Sequence, residues 1–201
     1  MRFEKWEGLG NDFIIVTGML SPERVSALCD RRRGIGADGV LVVTQLDDGP
    51  RMVVVNADGS RPEMCGNGLR CVAGYLATDD AAQPLVATDA GLKLCTVHPT
   101  RHADGAYDVE VQMGRAEIVG HFDHAERTYT RVDVGNPHAV TFDAFDNAAL
   151  DDVGPALQAA IDGGINVEMC QPTADGIRVV VWERGVGRTD ACGTGACAVA
   201  V

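Results

Sequence analysis

The chain has 201 residues, 46% of them hydrophobic, with seven cysteines and a formal net charge of −12 at pH 7. That length and apolar content suit one large domain or two small ones with a packed core, and the charge argues against a nucleic-acid backbone or an anionic membrane as partner. There is no basic leader with an apolar core and no apolar run of membrane-spanning length, and the odd number of irregularly spaced cysteines reads as reduced thiols, so a cytoplasmic protein is expected.

Residues 3–7 alternate as a short strand, Gly8 to Asp12 turn out of it with Asn11 in the turn, and residues 13–16 resume as a buried strand. Ser21 as N-cap and Pro22 in the first turn open a helix that runs to Asp30, and the basic run Arg31, Arg32, Arg33 suits its C-terminal end as a solvated cluster. The glycine-rich segment 34–39 leads from loop into strand 40–43, whereas a nucleotide fingerprint runs strand, loop, helix, so nucleotide binding is not expected. A hairpin turn at 47–50 precedes a strand ending at Asn56. Residues 79–84 form a polar linker, and three strands follow at 85–88, 92–97 and 107–111. A second half then restarts, which sets two domains at 1–114 and 115–201. In it, strands are expected at 128–133, 139–142, 165–169 and 179–182, with a short helix at 151–160.

One pattern occurs twice. Cys65-Gly66-Asn67-Gly68 and Cys192-Gly193-Thr194-Gly195 each place a thiol before a Gly-x-Gly. Each follows an apolar run closed by a polar residue, Asn56 or Glu183, nine positions upstream of its cysteine, and each leads into a helix-prone segment. Both thiols are therefore expected at helix N-termini, where free N–H groups and the dipole favour anions and lower a thiol's pKa. Two such units would face two activated thiols across a cleft. One thiolate could take a proton from a carbon next to a carboxylate while the opposite thiol delivers one to the other face, with the helix ends holding the carboxylate. A zinc site is not expected, because the x5 and x4 cysteine spacings lack ligand geometry. Cys29, Cys95 and Cys170 read as core, and Cys71 and Cys197 as packed inside their helices.

The repeat and its flanking segments resemble diaminopimelate epimerase, a pyridoxal-independent amino-acid epimerase. The resemblance runs along the chain through Gly8-Leu9-Gly10-Asn11-Asp12-Phe13, Gly34-Ile35-Gly36-Ala37-Asp38, Asn56-Ala57-Asp58-Gly59-Ser60, Met64-Cys65-Gly66-Asn67-Gly68, Gly135-Asn136-Pro137-His138, Asn166-Val167-Glu168, and Glu183 to Gly187 with residues 191–198. It implies an α/β fold of the α+β type: two pseudo-symmetric domains, each a mixed, mostly antiparallel sheet curled around a central helix. It implies cofactor-free epimerisation of LL-2,6-diaminopimelate to the meso form for lysine and cell-wall precursor synthesis, and it leaves a homodimer open. Cys65 and Cys192 would be the acid/base thiols, the N–H groups around Gly66, Asn67, Gly193 and Thr194 the α-carboxylate site, and Glu183 the partner of the α-ammonium. Arg184, Asn11, Asn56, Asn136 and Asn166 would hold the distal head, and His138 would stand behind them near Glu183 and a thiol. A zwitterionic distal head independently calls for a bidentate cation and neutral amides.

Two departures stand out. Asp190, two residues before Cys192, would raise that thiol's pKa. The sequence ends at Val201, where the resemblance implies further strands, so a truncated second domain of poor stability and weak activity is expected. Two rivals remain: a proline-racemase-like isomerase, against which Arg184 and its asparagines argue, and a non-catalytic thiol protein.

Overall fold

The computed structural model describes residues 1–77, 83–101 and 106–201, so most of the linker expected at 79–84 lies outside the described residues. The chain divides into two compact units, Met1–Gln112 and Met113–Val201.

The first unit contains β1 (Glu4–Gly8), β2 (Asn11–Val16), α1 (Pro22–Cys29), β3 (Gly39–Leu46), β4 (Gly49–Asn56), α2 (Gly66–Leu76), β5 (Leu85–Thr88), β6 (Gly91–Arg101) and β7 (Tyr107–Val111). Among the described residues they form a seven-stranded sheet in sequential order. Pairing is antiparallel except for β2 with β3, bridged by α1, and β4 with β5, bridged by α2. Ile14, Val16, Val40, Val42, Val53 and Val55 pack with Val25 and Leu28 of α1, while the alternate positions Ile15, Leu41, Met52 and Val54 are buried too. Burial on both faces explains why these strands read as unbroken apolar runs. The sheet curls so that both edge strands, β1 and β7, pack on α2. There Trp6 stacks on Tyr107 with ring centroids 6.4 Å apart, beside Gly74, where an added Cβ would come within 2.9 Å of the indole.

The second unit contains β8 (Glu117–His124), β9 (Arg127–Asp133), β10 (Pro137–Thr141), α3 (Ala149–Ala160), β11 (Asn166–Thr173), β12 (Gly176–Glu183), β13 (Gly187–Thr189) and α4 (Gly193–Val199). Its strands form a six-stranded sheet among the described residues, in the order β13-β12-β11-β10-β9-β8. β10 and β11 are parallel around α3, and the other pairs are antiparallel. On one face Tyr129, Ala139, Val167 and Met169 pack against Leu150, Val153 and Leu157 of α3; on the other, Val132, Val140 and Cys170 pack against Ala198 of α4. Trp182 lies over Gly154 of α3, where an added Cβ would come within 2.4 Å of the ring, and its Nε1–H donates to Gln158 Oε1 at 3.1 Å.

Three expectations need correction. α1 stops at Cys29, so Arg31 to Arg33 lie in a turn, with the Asp30 carboxylate accepting from the N–H groups of Arg32 and Arg33. Arg31 is not simply solvated: its guanidinium binds Asp12 at 2.6 Å and Asp38 at 2.7 Å. Asn11 opens β2, opposite Gly8, rather than sitting in the turn. No helix among the described residues is long and apolar enough to cross a membrane.

Candidate active site

Strand, helix, parallel strand, hairpin and cysteine-capped helix recur in each unit: β2-α1-β3-β4-α2 and β10-α3-β11-β12 followed by α4. Pairing fixes the match between them. Phe13 lies opposite Gly39 in the first parallel pair and His138 opposite Asn166 in the second, so Phe13 corresponds to His138, Asn11 to Asn136, and Leu41 to Glu168. Asn56 and Glu183 are the last residues of β4 and β12.

Each cysteine is the N-cap of its helix. Cys65 has φ −135° and ψ 113°, and its Sγ accepts from Gly68 N–H at 3.4 Å; Cys192 has φ −123° and ψ 118°, and its Sγ accepts from Gly195 N–H at 3.3 Å. A sulfur thus takes the role usually filled by a serine or aspartate oxygen. The second glycine of each motif is needed for close approach. A Cβ on Gly68 would lie 2.8 Å from Leu41 Cδ2, and one on Gly195 would lie 2.5 Å from Glu168 Oε1.

In the first unit Cys65 is partly exposed, while Asn67 is buried. Asn67 Nδ2 donates to Asn11 Oδ1 and its Oδ1 accepts from Arg70; Asn11 Nδ2 donates to Asp38 Oδ2 at 3.2 Å. Burial by itself would raise Asp12, but hydrogen bonds from Arg31 and Lys5, together with their charges, hold it well below the usual carboxylate range. Asn56 Nδ2 donates to Ser60 Oγ at 3.0 Å. Gly66 and Asn67, expected at a carboxylate site, are the first two residues of α2.

In the second unit Cys192 is buried, and its Sγ lies 3.3 Å from Thr194 Oγ1. Thr194 Oγ1 accepts from Asn136 Nδ2 at 3.3 Å, Asn136 Oδ1 is 3.0 Å from His138 Nε2, and His138 Nδ1 is 2.7 Å from Glu168 Oε1. His138 and Glu168 are both fully buried, and Glu168 Oε2 has no hydrogen-bond partner among the described residues. Glu183 accepts from Thr189 Oγ1 at 2.7 Å, and burial followed by the nearby Glu168 charge pushes it upward. Asn166 binds backbone on both sides, donating to Pro137 O and accepting from Arg184 N–H at 2.9 Å each. It therefore positions the Arg184 backbone, while the guanidinium donates to Gly163 O at 3.2 Å.

Cys192 is raised, the direction expected from Asp190 and against the helix dipole, but by other groups. Its burial, then the charge of Glu183 and that of Glu168 when ionised, push it well above the ordinary thiol value, against the hydrogen bonds from Thr194 and Gly195. Asp190, the carboxylate singled out in the sequence, is exposed and is not among these influences. Cys71 and Cys170, read as packing residues, are both pushed up to about 12, chiefly by burial. Sequence reasoning missed Glu168 as part of the site, although a lone carboxylate in the apolar run from Ile165 to Met169 is itself a signal, since an unpaired charge is costly to bury. Asp38 was missed as well.

The family model for diaminopimelate epimerase matches residues 3–119 and 130–201. A diaminopimelate epimerase of Desulforudis audaxviator is 45% identical over 100% of this chain and 82% of its own length, and one of Synechocystis is 37% identical with the same coverage. Among solved structures, a hydroxyproline epimerase of Agrobacterium vitis with bound trans-4-hydroxy-L-proline superposes with a TM-score of 0.73 at 14% identity, covering 98% of this chain and 75% of that one. A phenazine biosynthesis protein of the PhzF family from Enterococcus faecalis gives 0.58 at 9% identity, covering 100% and 81%. At those identities the likeness is one of fold.

Proposed function

The chain belongs to the diaminopimelate epimerase family, and from that premise we propose that it converts LL-2,6-diaminopimelate to the meso form, without a cofactor, using Cys65 and Cys192 as its two acid/base groups. The observation that carries this reading is the duplicated cap: two thiols, each at the N-cap of a helix and each held by the N–H three residues on. One thiolate abstracts the α-proton and the other thiol returns a proton to the opposite face, which inverts the centre. The N–H groups of Gly66, Asn67, Gly193 and Thr194 would stabilise the charge that develops on the α-carboxylate. Glu183 would receive the α-ammonium. Arg184, with Asn11, Asn56 and Asn136, would hold the distal head, and Asn166 would serve by fixing the Arg184 backbone. The raised Cys192 favours assigning it the protonated role at rest. The product serves lysine and cell-wall precursor synthesis in the cytoplasm, where thiols stay reduced.

The test is α-deuterium incorporation into LL-diaminopimelate in heavy water, run beside proline and hydroxyproline. Incorporation into diaminopimelate, lowered by a factor of about 10²–10⁴ in Cys65→Ala and in Cys192→Ala, is expected. No exchange with any substrate would leave a non-catalytic thiol protein, and exchange confined to proline would replace the substrate.

A further inference from the structure

Thr194, Asn136, His138 and Glu168 form a continuous chain of short contacts that begins at the Cys192 sulfur and ends at a carboxylate sealed in the core. The direction of its hydrogens follows from its middle. With Asn136 Nδ2 donating to Thr194 Oγ1, the amide oxygen faces His138 Nε2, so Nε2 must carry the hydrogen. Thr194 Oγ1, already an acceptor, then has its own hydrogen free for the sulfur, which would receive two donors, Thr194 O–H and Gly195 N–H.

At the far end one further proton must lie between His138 Nδ1 and Glu168 Oε1. It makes the pair either a neutral acid on a neutral imidazole or an imidazolium on a carboxylate, and both are neutral overall. The surroundings favour that state over a lone carboxylate. Glu168 is fully buried, its Oε2 has no donor among the described residues, and burial raises its proton affinity against the opposing effect of His138. The titratable and charged groups facing this region are Cys192 on α4, Glu183 on β12, Cys170 and Glu168 on β11, and His138 on β10. A second negative charge here would oppose a Cys192 thiolate, whereas a neutral pair does not.

The repeat supplies an independent argument. At the matching positions the first unit has Phe13 and Leu41, both buried, and the same turn of chain folds around them. Packing alone therefore needs no acid and no imidazole there. We propose that Glu168 is a positioning residue: through the proton it shares with His138 it fixes the direction of a hydrogen-bond chain that ends as a donor on Cys192. The catalytic meaning of this chain rests on Cys192 being an acid/base thiol, but the chain can be read on the thiol itself.

The experiment is iodoacetamide alkylation of the protein as a function of pH, quantified for each cysteine by peptide mass spectrometry, with thermal unfolding followed in parallel. Cys65 is the internal control. In Glu168→Leu and in Thr194→Val the alkylation of Cys192 at a given pH below its midpoint should slow roughly tenfold, the equivalent of about one pH unit. The double variant should be no slower than Thr194→Val alone, because both cut one chain. Glu168→Gln, whose amide can donate to Nδ1 and keep the hydrogen on Nε2, should stay within about threefold of the parent. Thr194→Val leaves the buried pair intact, so it decides the matter if Glu168→Leu does not fold. Faster Cys192 alkylation in Glu168→Leu would mean that Glu168 acts only as a negative charge and would overturn the proposal, as would an unchanged rate in Thr194→Val. Neither result depends on α-proton exchange, so failure here is distinct from failure of the epimerase reading.

Discussion

The two units solve one backbone problem with different chemistry beneath it. In both, a parallel strand pair, a hairpin and a capped helix bring a sulfur onto the N–H three residues ahead. In the first, Leu41 lies under the glycine of the cap; in the second, the Glu168 carboxylate occupies that place. The scaffold is thus indifferent to whether its floor is apolar or ionisable, and the ionisable floor is an addition made on the Cys192 side. Asn56 and Glu183 differ in the same sense, a neutral amide ending one strand and a carboxylate the other.

Breaking one member of the pair gives the largest expected effect. His138→Phe, which copies Phe13 into the second unit, leaves Glu168 buried without its partner and should cost about 3–5 kcal/mol in denaturant unfolding. Phe13→Tyr would be a poor mirror, because it adds a hydroxyl to a buried apolar site. A loss below about 1 kcal/mol in His138→Phe would show that Glu168 is not held by His138.

The glycines sharpen the contrast at lower cost. Gly68→Ala and Gly195→Ala both overpack, at about 1–3 kcal/mol by melting. Gly195→Ala should be the worse of the two, because its Cβ would meet a carboxylate oxygen pinned by His138, whereas the Leu41 methyl can rotate away. Equal losses would mean that the carboxylate yields as readily as the methyl.

Opposite pH responses come next. Asp12 is held low in the folded state, so its contribution is present above its ordinary value of 3.8 and is lost as pH falls toward the lowered folded value. Glu183 and Glu168 are raised above their ordinary value of 4.5, so their contribution is complete below that value and is lost as pH rises through the raised folded values. Site-resolved hydrogen exchange, corrected for intrinsic rates, should show β2 and β3 losing protection as pH falls below about 3.8, and β11 and β12 losing it as pH rises above about 4.5. Loss of protection in both units on acidification would show that the two sets of carboxylates are not oppositely held.

The smallest stability change is expected where the chemical change is greatest. The double variant His138→Phe with Glu168→Leu makes the second floor like the first, and replacing a buried polar pair with apolar residues of similar size is often neutral or stabilising. Its melting temperature should lie within a few degrees of the parent, while Cys192 alkylation slows as in Glu168→Leu alone. A large loss of stability would mean that the pair holds the fold.

Much of this organisation was legible in the sequence because its causes are local. Ser21 and Pro22 announced α1, and the Ser21 hydroxyl does accept from Arg24 N–H. Apolar runs marked β3, β4, β11 and β12, and the doubled Cys-Gly-x-Gly located both caps. β8 escaped because it is an edge strand with most residues exposed, which leaves no apolar run to find. The pairing of Arg31 with Asp12 and Asp38 escaped because the parallel alignment of β2 and β3 brings those carboxylates together across the sheet. For Cys192 the direction was legible but its cause was not, for the same reason. A helix dipole and the adjacent Asp190 are written in neighbouring residues, whereas burial and the approach of Glu183 and Glu168 come from the folding of β12 and β11 against α4.

The chain contains two tryptophans, and the fold gives one to each unit. Trp182 rests its ring on the bare backbone of Gly154, one residue before Glu183. Replacing Trp6 with phenylalanine would leave a single indole whose emission reports on the second unit alone, and the converse replacement would isolate the first. Fluorescence can therefore follow the melting of each unit separately.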